Sequence, residues 1–240
     1  MPAISNTIWS IASFDAVTHA IRIVRHAQAR RARLSIDPTS GEARLTVPAR
    51  GSVKAALRWA ETQRDWIATQ QSRLPERRPF APGVAIPFGD TDLVIDWEAG
   101  RSRRVVREGH RLVCGGPPEG LARRITSWLR REALRVLSED TAFYAGRAGV
   151  VVSQVAVGDP RGRWGSCAAS GAIRYSWRLI LAPDHVRRAT VAHEVAHRLH
   201  MDHSPAFHAA AARILGDDPA PARAWLRANG AALHWIGRES

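Results

Sequence analysis

The stretch "VAHEVAHRLHMDHSPAFH", Val191–His208, holds five of the ten histidines of this 240-residue chain. They are His193, His197, His200, His203 and His208, and Glu194 follows the first of them. His193, Glu194 and His197 fit the pattern H-E-x-x-H. On a helix, residues four apart lie one turn apart on the same face, so both imidazoles can reach one zinc ion. Glu194 then stands beside the first ligand, where its carboxylate reaches a water on the metal rather than the metal itself. It can take that water's proton and later deliver it to a leaving amine. The surrounding "RRATVAHEVAHRLH" places Val191, Val195 and Leu199 on one side, as a packed helix requires.

The third ligand follows from helix geometry. His200 lies seven residues beyond His193, about 10 Å further along the axis at the rise of an α-helix. Three histidines strung along one straight helix converge poorly on a tetrahedral ion with bonds of about 2 Å. A segment that turns back is better placed. "MDHSP" offers such a turn, with Asp202 and Ser204 as turn or cap residues and Pro205 suited to the first turn of a new helix. His203 is therefore favoured as third ligand, with His208 next in order and His200 a bystander or supporting residue. The pattern becomes H-E-x-x-H-x5-H. Three protein ligands leave a position for water, as catalytic rather than structural zinc sites do.

Working outward, "VSQVAVGD" and "GAIRYSWRLILA" read as strands around the loop-like "PRGRWGSCAAS". "RWGSC", Arg163–Cys167, has two readings. In the functional one, Gly165 lets a substrate backbone approach, while Arg163 or Ser166 contacts substrate. In the structural one, Trp164 packs the core and Gly165 bends the chain. Tyr175 and Arg178 on the next strand are candidates for stabilising an oxyanion. Asp202 is a candidate partner for the ligating histidines.

Three of these stretches, "RWGSC", "IRYSWRLILAP" and "VAHEVAHRLHMDHSPAFH", resemble successive motifs of the YgjP-like metallopeptidases, relatives of the SprT-like and WLM zinc peptidases. The resemblance is strong over about Val150 to Leu215 and looser in the N-terminal hairpins. It implies a minimal zincin with ligands at His193, His197 and His203, Zn2+ as cofactor and Glu194 as general base. Two positions depart: Val195 where the family often has Leu, and His208 where it often has an aromatic. The second weakens His208 as a ligand.

The rest of the chain supplies the frame. "AIRIVRH" alternates, and "RARLSID" and "EARLTVP" flank a turn at Pro38–Gly41. Ser52 reads as the N-cap of one helix through "VKAALRWAETQRDWIATQQSRL". After the breaker-rich "PERRPFAPG", "TDLVIDW" and "RRVVREGHRLVCG" read as a hairpin-like pair turning at Gly109. A long amphipathic helix is expected over Leu121–Ala148, and two more over "PAFHAAAARILG" and "PARAWLRANGAALHW". The fold class is thus α+β. An N-terminal antiparallel β-hairpin module with one helix (residues 1–116) precedes a C-terminal zincin-like metallopeptidase domain (117–240). In the latter an active-site helix packs beside a small sheet; the boundary is approximate and the two parts can fold as one unit.

Composition bounds the rest. The hydrophobic fraction of 45% and nine tryptophans argue for a folded globular chain. No run approaches the ~18 apolar residues of a membrane helix, and the opening "MPAISNTIWSIASFDAV" lacks the basic region and long apolar core of a signal peptide. A cytoplasmic protein without a membrane partner is expected. Cys114 and Cys167 cannot form a disulfide framework and read as small packed residues. The formal charge of +13, clustered at "RHAQARRAR", "RSRRVVR" and "LARRITSWLRRE", suits contact with nucleic acid. The leading function is hydrolysis of a protein or peptide substrate, including one associated with nucleic acid. The alternatives are a zinc hydrolase of a non-protein amide and a basic nucleic-acid-binding module with structural or regulatory zinc.

Overall fold

The computed structural model describes residues 21–239. The reading of the opening segment as no signal peptide lies outside them. The chain divides into two compact units between Glu76 and Arg77.

In the first unit, β1 (Ile21–His26), β2 (Arg33–Ile36) and β3 (Ala43–Pro48) form a sheet with β3 central. β2 and β3 make the expected antiparallel pair, but β1 runs parallel to β3. Alternation along β3 buries Ala43, Leu45 and Val47 and leaves Arg44 exposed. Ser52 caps α1 (Val53–Glu61) as expected, its hydroxyl accepting from the Ala55 amide at 3.2 Å. Ala56 and Ala60 of that helix close the small core over Ile23, Leu45 and Val47.

The single helix expected after Ser52 is broken into α1 and α2 (Arg64–Gln71). The Thr62 hydroxyl donates to the Trp59 carbonyl at 2.7 Å, and the Gln63 amide donates to Ala60, three residues back. A side-chain hydroxyl competing for backbone carbonyls, with tightened i→i−3 bonds, ends the first helix there.

The second unit opens with β4 (Ala85–Phe88), β5 (Thr91–Trp97), β6 (Val106–Glu108) and β7 (Arg111–Cys114), in the order β4-β5-β7-β6. The sheet is mixed rather than purely antiparallel. Two hairpins, β4–β5 and β6–β7, are joined by the parallel pair β5–β7. Gly109, at φ +60, makes the β6–β7 turn. The long α3 (Leu121–Ala148) has the expected bounds. Then come β8 (Gln154–Gly158), β9 (Gly165–Cys167) and β10 (Ala172–Ser176), with β10 between the other two, and finally α4 (Asp184–Ala196), α5 (Pro205–Leu215) and α6 (Ala220–Leu233).

The expected boundary near residue 117 does not coincide with this division. Ile86, Leu93, Ile95 and Leu112 of the four-stranded sheet share one core with Ile125, Leu129 and Leu137 of α3 and Val186, Val191 and Val195 of α4. Each such fully buried aliphatic side chain contributes about 1.5–3 kcal/mol, so a cut at 117 would expose the apolar faces of both parts. Mixed α+β architecture with three small sheets is what the described residues form. Among them no helix is long and apolar enough to cross a membrane. Cys114 is buried, Cys167 is half-buried, and neither is in a disulfide.

Candidate active site

Helix α4 carries His193 and Glu194, and its first turn is fixed by residues distant in sequence. The Asp90 carboxylate accepts from the Asp184 amide at 3.0 Å, satisfying a donor of the first turn. Arg187, buried on α4, pairs with Asp140 of α3 at 2.7 Å and also with Asp184. The helix closes at His197, whose ring still projects one turn beyond His193.

The chain then turns back. Asp202 accepts from the Ser204 amide at 3.1 Å, and Ser204 caps α5 by accepting from the Phe207 amide at 3.3 Å. This reversal returns His203 to the two helix histidines. Ligand atoms of His193, His197 and His203 all lie within 4.8 Å of one another. The Nε2 atoms of His193 and His203 are 3.3 Å apart. Two nitrogens on a tetrahedral ion with bonds of 2.0–2.1 Å stand about 3.3 Å apart, so this pair already has that spacing. His197 Nδ1 lies 3.1 Å from the His200 carbonyl. A carbonyl only accepts, so Nδ1 holds the proton and Nε2 keeps its lone pair for a metal. The donor set fits a divalent ion.

Phe207, fully buried, is the floor of the set. Its ring stacks on His197 at 4.5 Å and meets His193 and His203 edge-on at 4.8 and 4.9 Å. The sequence reading passed over it. Its place three residues after the cap Ser204, on the inner face of α5, was the available signal. His208 stands apart, its ring centroid 6.3 Å from that of His203, outside the cluster.

Glu194 is 5% exposed and shares a cavity of about 280 Å³ with His193, Arg163, Trp164 and Gly165. Ala189, Ala211, Ala222 and Leu226 supply apolar wall, and Arg223 of α6 adds a cation that the sequence reading did not single out. Burial pushes the Glu194 carboxyl up to about 7, against the opposing pull of Arg163. A cation on the histidines would draw it down again. Burial, followed by the charges of His197 and His203, pushes His193 down to about 4, which keeps the imidazole neutral and able to ligate.

Gly165 has a role that neither of the two readings named. It lies on β9 against α4, and a Cβ there would stand 2.5 Å from Glu194 Oε1. Its bare backbone makes room for the carboxylate. Of the remaining candidates, only Arg163 lines the cavity. Ser166 sits on β9 paired with Arg174. The Tyr175 hydroxyl is fully buried and bonded to Thr141 at 3.0 Å, so it cannot serve an oxyanion. Arg178 is likewise committed. It binds both oxygens of Asp159 and donates to the carbonyls of Leu233 and Ile236. Asp202 is exposed and bonds to Ser204 rather than to a ligand ring; the backbone of His200 fills that supporting role.

A family model described as "YgjP-like, metallopeptidase domain" matches residues 30–229. The chain belongs to the YgjP-like metallopeptidase family. The match spans both compact units, so the first unit is part of the YgjP-like domain and not an appendage. Neither a curated protein nor a solved structure matches the chain. For a YgjP-like metallopeptidase a metal ion is implied, and the triad of His193, His197 and His203 is a site that could bind it.

Proposed function

We propose that this chain is a zinc peptidase that hydrolyses peptide bonds in extended segments, with His193, His197 and His203 as ligands and Glu194 as general base. The observation that carries the reading is the shared cavity of His193 and Glu194, which sets a buried carboxylate beside the triad. Three imidazoles without a thiolate suit zinc among several divalent metals, and the tetrahedral spacing and redox-free hydrolysis favour it. When bound, the ion would polarise a carbonyl oxygen and acidify water.

The chain's own residues then divide the work. Glu194, buried beside the triad, accepts a proton from the attacking water and returns it to the leaving amine. Arg163 stays near enough to restrain the carboxylate's pKa and offers donors to a substrate carbonyl. β9 pairs only with β10 among the described residues, so its other edge can accept an extended peptide as an added strand. The alanine-lined wall would take an apolar side chain of that peptide.

The test is cleavage of an unfolded protein by the purified chain, with and without chelator, and by Glu194→Gln. Both treatments should abolish cleavage, with loss of the base costing about 10²–10⁴-fold. Undiminished activity in the substituted enzyme would sink the assignment.

A further inference from the structure

The first unit contains a concavity that the peptidase reading does not use. Its volume is about 1070 Å³, and it is walled by the β1–β2 connection, the β2 and β3 strands, and Trp59, Gln63 and Trp66 from α1, α2 and their junction. Four arginines line it, Arg30, Arg31, Arg33 and Arg44, with no aspartate or glutamate among the lining residues. All four are exposed, and among the described residues none is ion-paired. By contrast Arg22 on β1, outside the lining, has Glu42 at 3.7 Å.

The arginines are held together by strand register. Arg33 pairs with Thr46 and Ser35 with Arg44, so alternation puts Arg33 and Arg44 on one face as diagonal neighbours. Like charges so placed repel, and a concavity that collects four with no counter-charge among the described residues attracts an anion.

The tryptophans narrow the class of anion. Trp59 and Trp66 are 41% and 40% exposed, whereas Ala56, Ala60 and Ile67 of the same helices are buried. The apolar faces of α1 and α2 are thus already spent on the core, and the two indoles are not. Large indoles left open inside an arginine-lined concavity offer flat stacking surfaces beside phosphate donors. That combination is how single strands are held, because every base has a face to stack once it leaves a duplex. Gln28, Gln63 and His26 add side chains able to meet base edges. An acidic peptide would use the arginines but leave the indoles idle, and duplex would keep its base faces to itself.

We propose that this concavity of the first unit is a binding site for single-stranded nucleic acid, with Arg30, Arg31, Arg33 and Arg44 on phosphates and Trp59 and Trp66 stacking on bases. The site is independent of the metal centre and does not rest on the peptidase reading.

The experiment is fluorescence anisotropy of the full chain with labelled 20-nucleotide oligo-dT and oligo-U, across a salt series. Binding is expected with a log–log salt slope near −0.7 per phosphate contacted, about −3 for four. Trp59→Ala should weaken binding roughly 5- to 150-fold with the slope unchanged, while Trp59→Phe should retain most affinity. Arg33→Ala with Arg44→Ala should lower the slope by about 1.4. These side chains are exposed, and circular dichroism of each variant checks that it folds. Glu194→Gln should bind like the parent chain, which separates this site from catalysis. Binding of one oligomer or of both supports the proposal. Equal binding of a duplex or of polyglutamate, an unchanged affinity in Trp59→Ala, or no binding at low salt would overturn it.

Discussion

A Cβ placed on Gly165 would lie 2.5 Å from Oε1, 2.6 Å from Cγ and 2.7 Å from Cδ of Glu194. The edge strand β9 and the helix α4 therefore meet at a glycine and a carboxylate. Real side-chain carbons do not approach so closely, so any side chain at 165 must push Glu194 away.

Gly165→Ala is accordingly expected to displace the Glu194 carboxylate, the proposed general base, while leaving the histidines in place. A shift of about 1 Å in a reacting group can cost roughly 100-fold, and kcat/KM for peptide cleavage should fall by that order. Metal content, read by elemental analysis of the purified variant, should stay at the parental level. Loss of metal together with activity would point instead to disruption of the triad.

The two histidines after the helix should behave differently. His203 supplies a ring nitrogen 3.3 Å from that of His193, whereas the His208 ring lies outside the cluster. His203→Ala should weaken metal binding beyond the 10–100-fold typical of losing a supporting residue. His208→Ala should leave affinity within a few-fold. Competition against a chelating dye measures both.

The grouping of His193, His197 and His203 was legible because the three lie close together in sequence. The turn at "MDHSP" can be read from Asp202, Ser204 and Pro205, whereas the expected run of the helix through His200 stops short: the helix closes at His197, so His200 stands off the helix altogether. The long helix Leu121–Ala148 was legible from the spacing of Ile125, Leu129 and Leu137, although the apolar Leu134 and Phe143 are exposed, and the cap Ser52 from its position before a periodic run. What escaped depends on partners far away in sequence. Asp90 caps a helix 94 residues on, and β9 is three residues of loop-like composition that become a strand only by pairing with β10. Tyr175 and Arg178 carry chemistry suited to an active site. Their functional groups are consumed by Thr141, 34 residues back, and by carbonyls more than 50 residues ahead. Spacing cannot say where a side chain's hydrogen bonds are spent.

Phe207 joins the core to the site, so its removal should register in both. The ring is fully buried and touches the imidazoles of His193, His197 and His203. Phe207→Ala should cost about 3–5 kcal/mol in urea unfolding of the apo protein, through lost transfer energy and the cavity left behind. The same variant, if folded, should bind metal about 10–100-fold more weakly because the rings lose the surface that orients them. A variant that loses stability but keeps full metal affinity would show that the backbone alone orients the triad.

The Asp159–Arg178 pair gives a pH-dependent prediction away from the metal. Burial tends to raise the Asp159 carboxyl. The hydrogen bonds and charge of Arg178 outweigh it, with help from Trp177 and His234, and hold the group below the usual carboxylate range. A carboxyl whose folded pKa lies below its unfolded value of about 3.9 stabilises the fold above that pH and loses its contribution as pH falls through the folded value. Asp159→Asn removes the charge and keeps the shape. Because Asp159 is partly exposed, the cost at pH 7 should be modest, about 1–2 kcal/mol, even though Arg178 remains bonded to Leu233 and Ile236. The stability gap between parent and variant, measured by urea unfolding, should narrow as pH drops below about 4 and close once the carboxyl is protonated in both states. A gap that stayed constant from pH 7 into acid would mean that the lost interaction is packing or a neutral hydrogen bond, not the charge of Asp159.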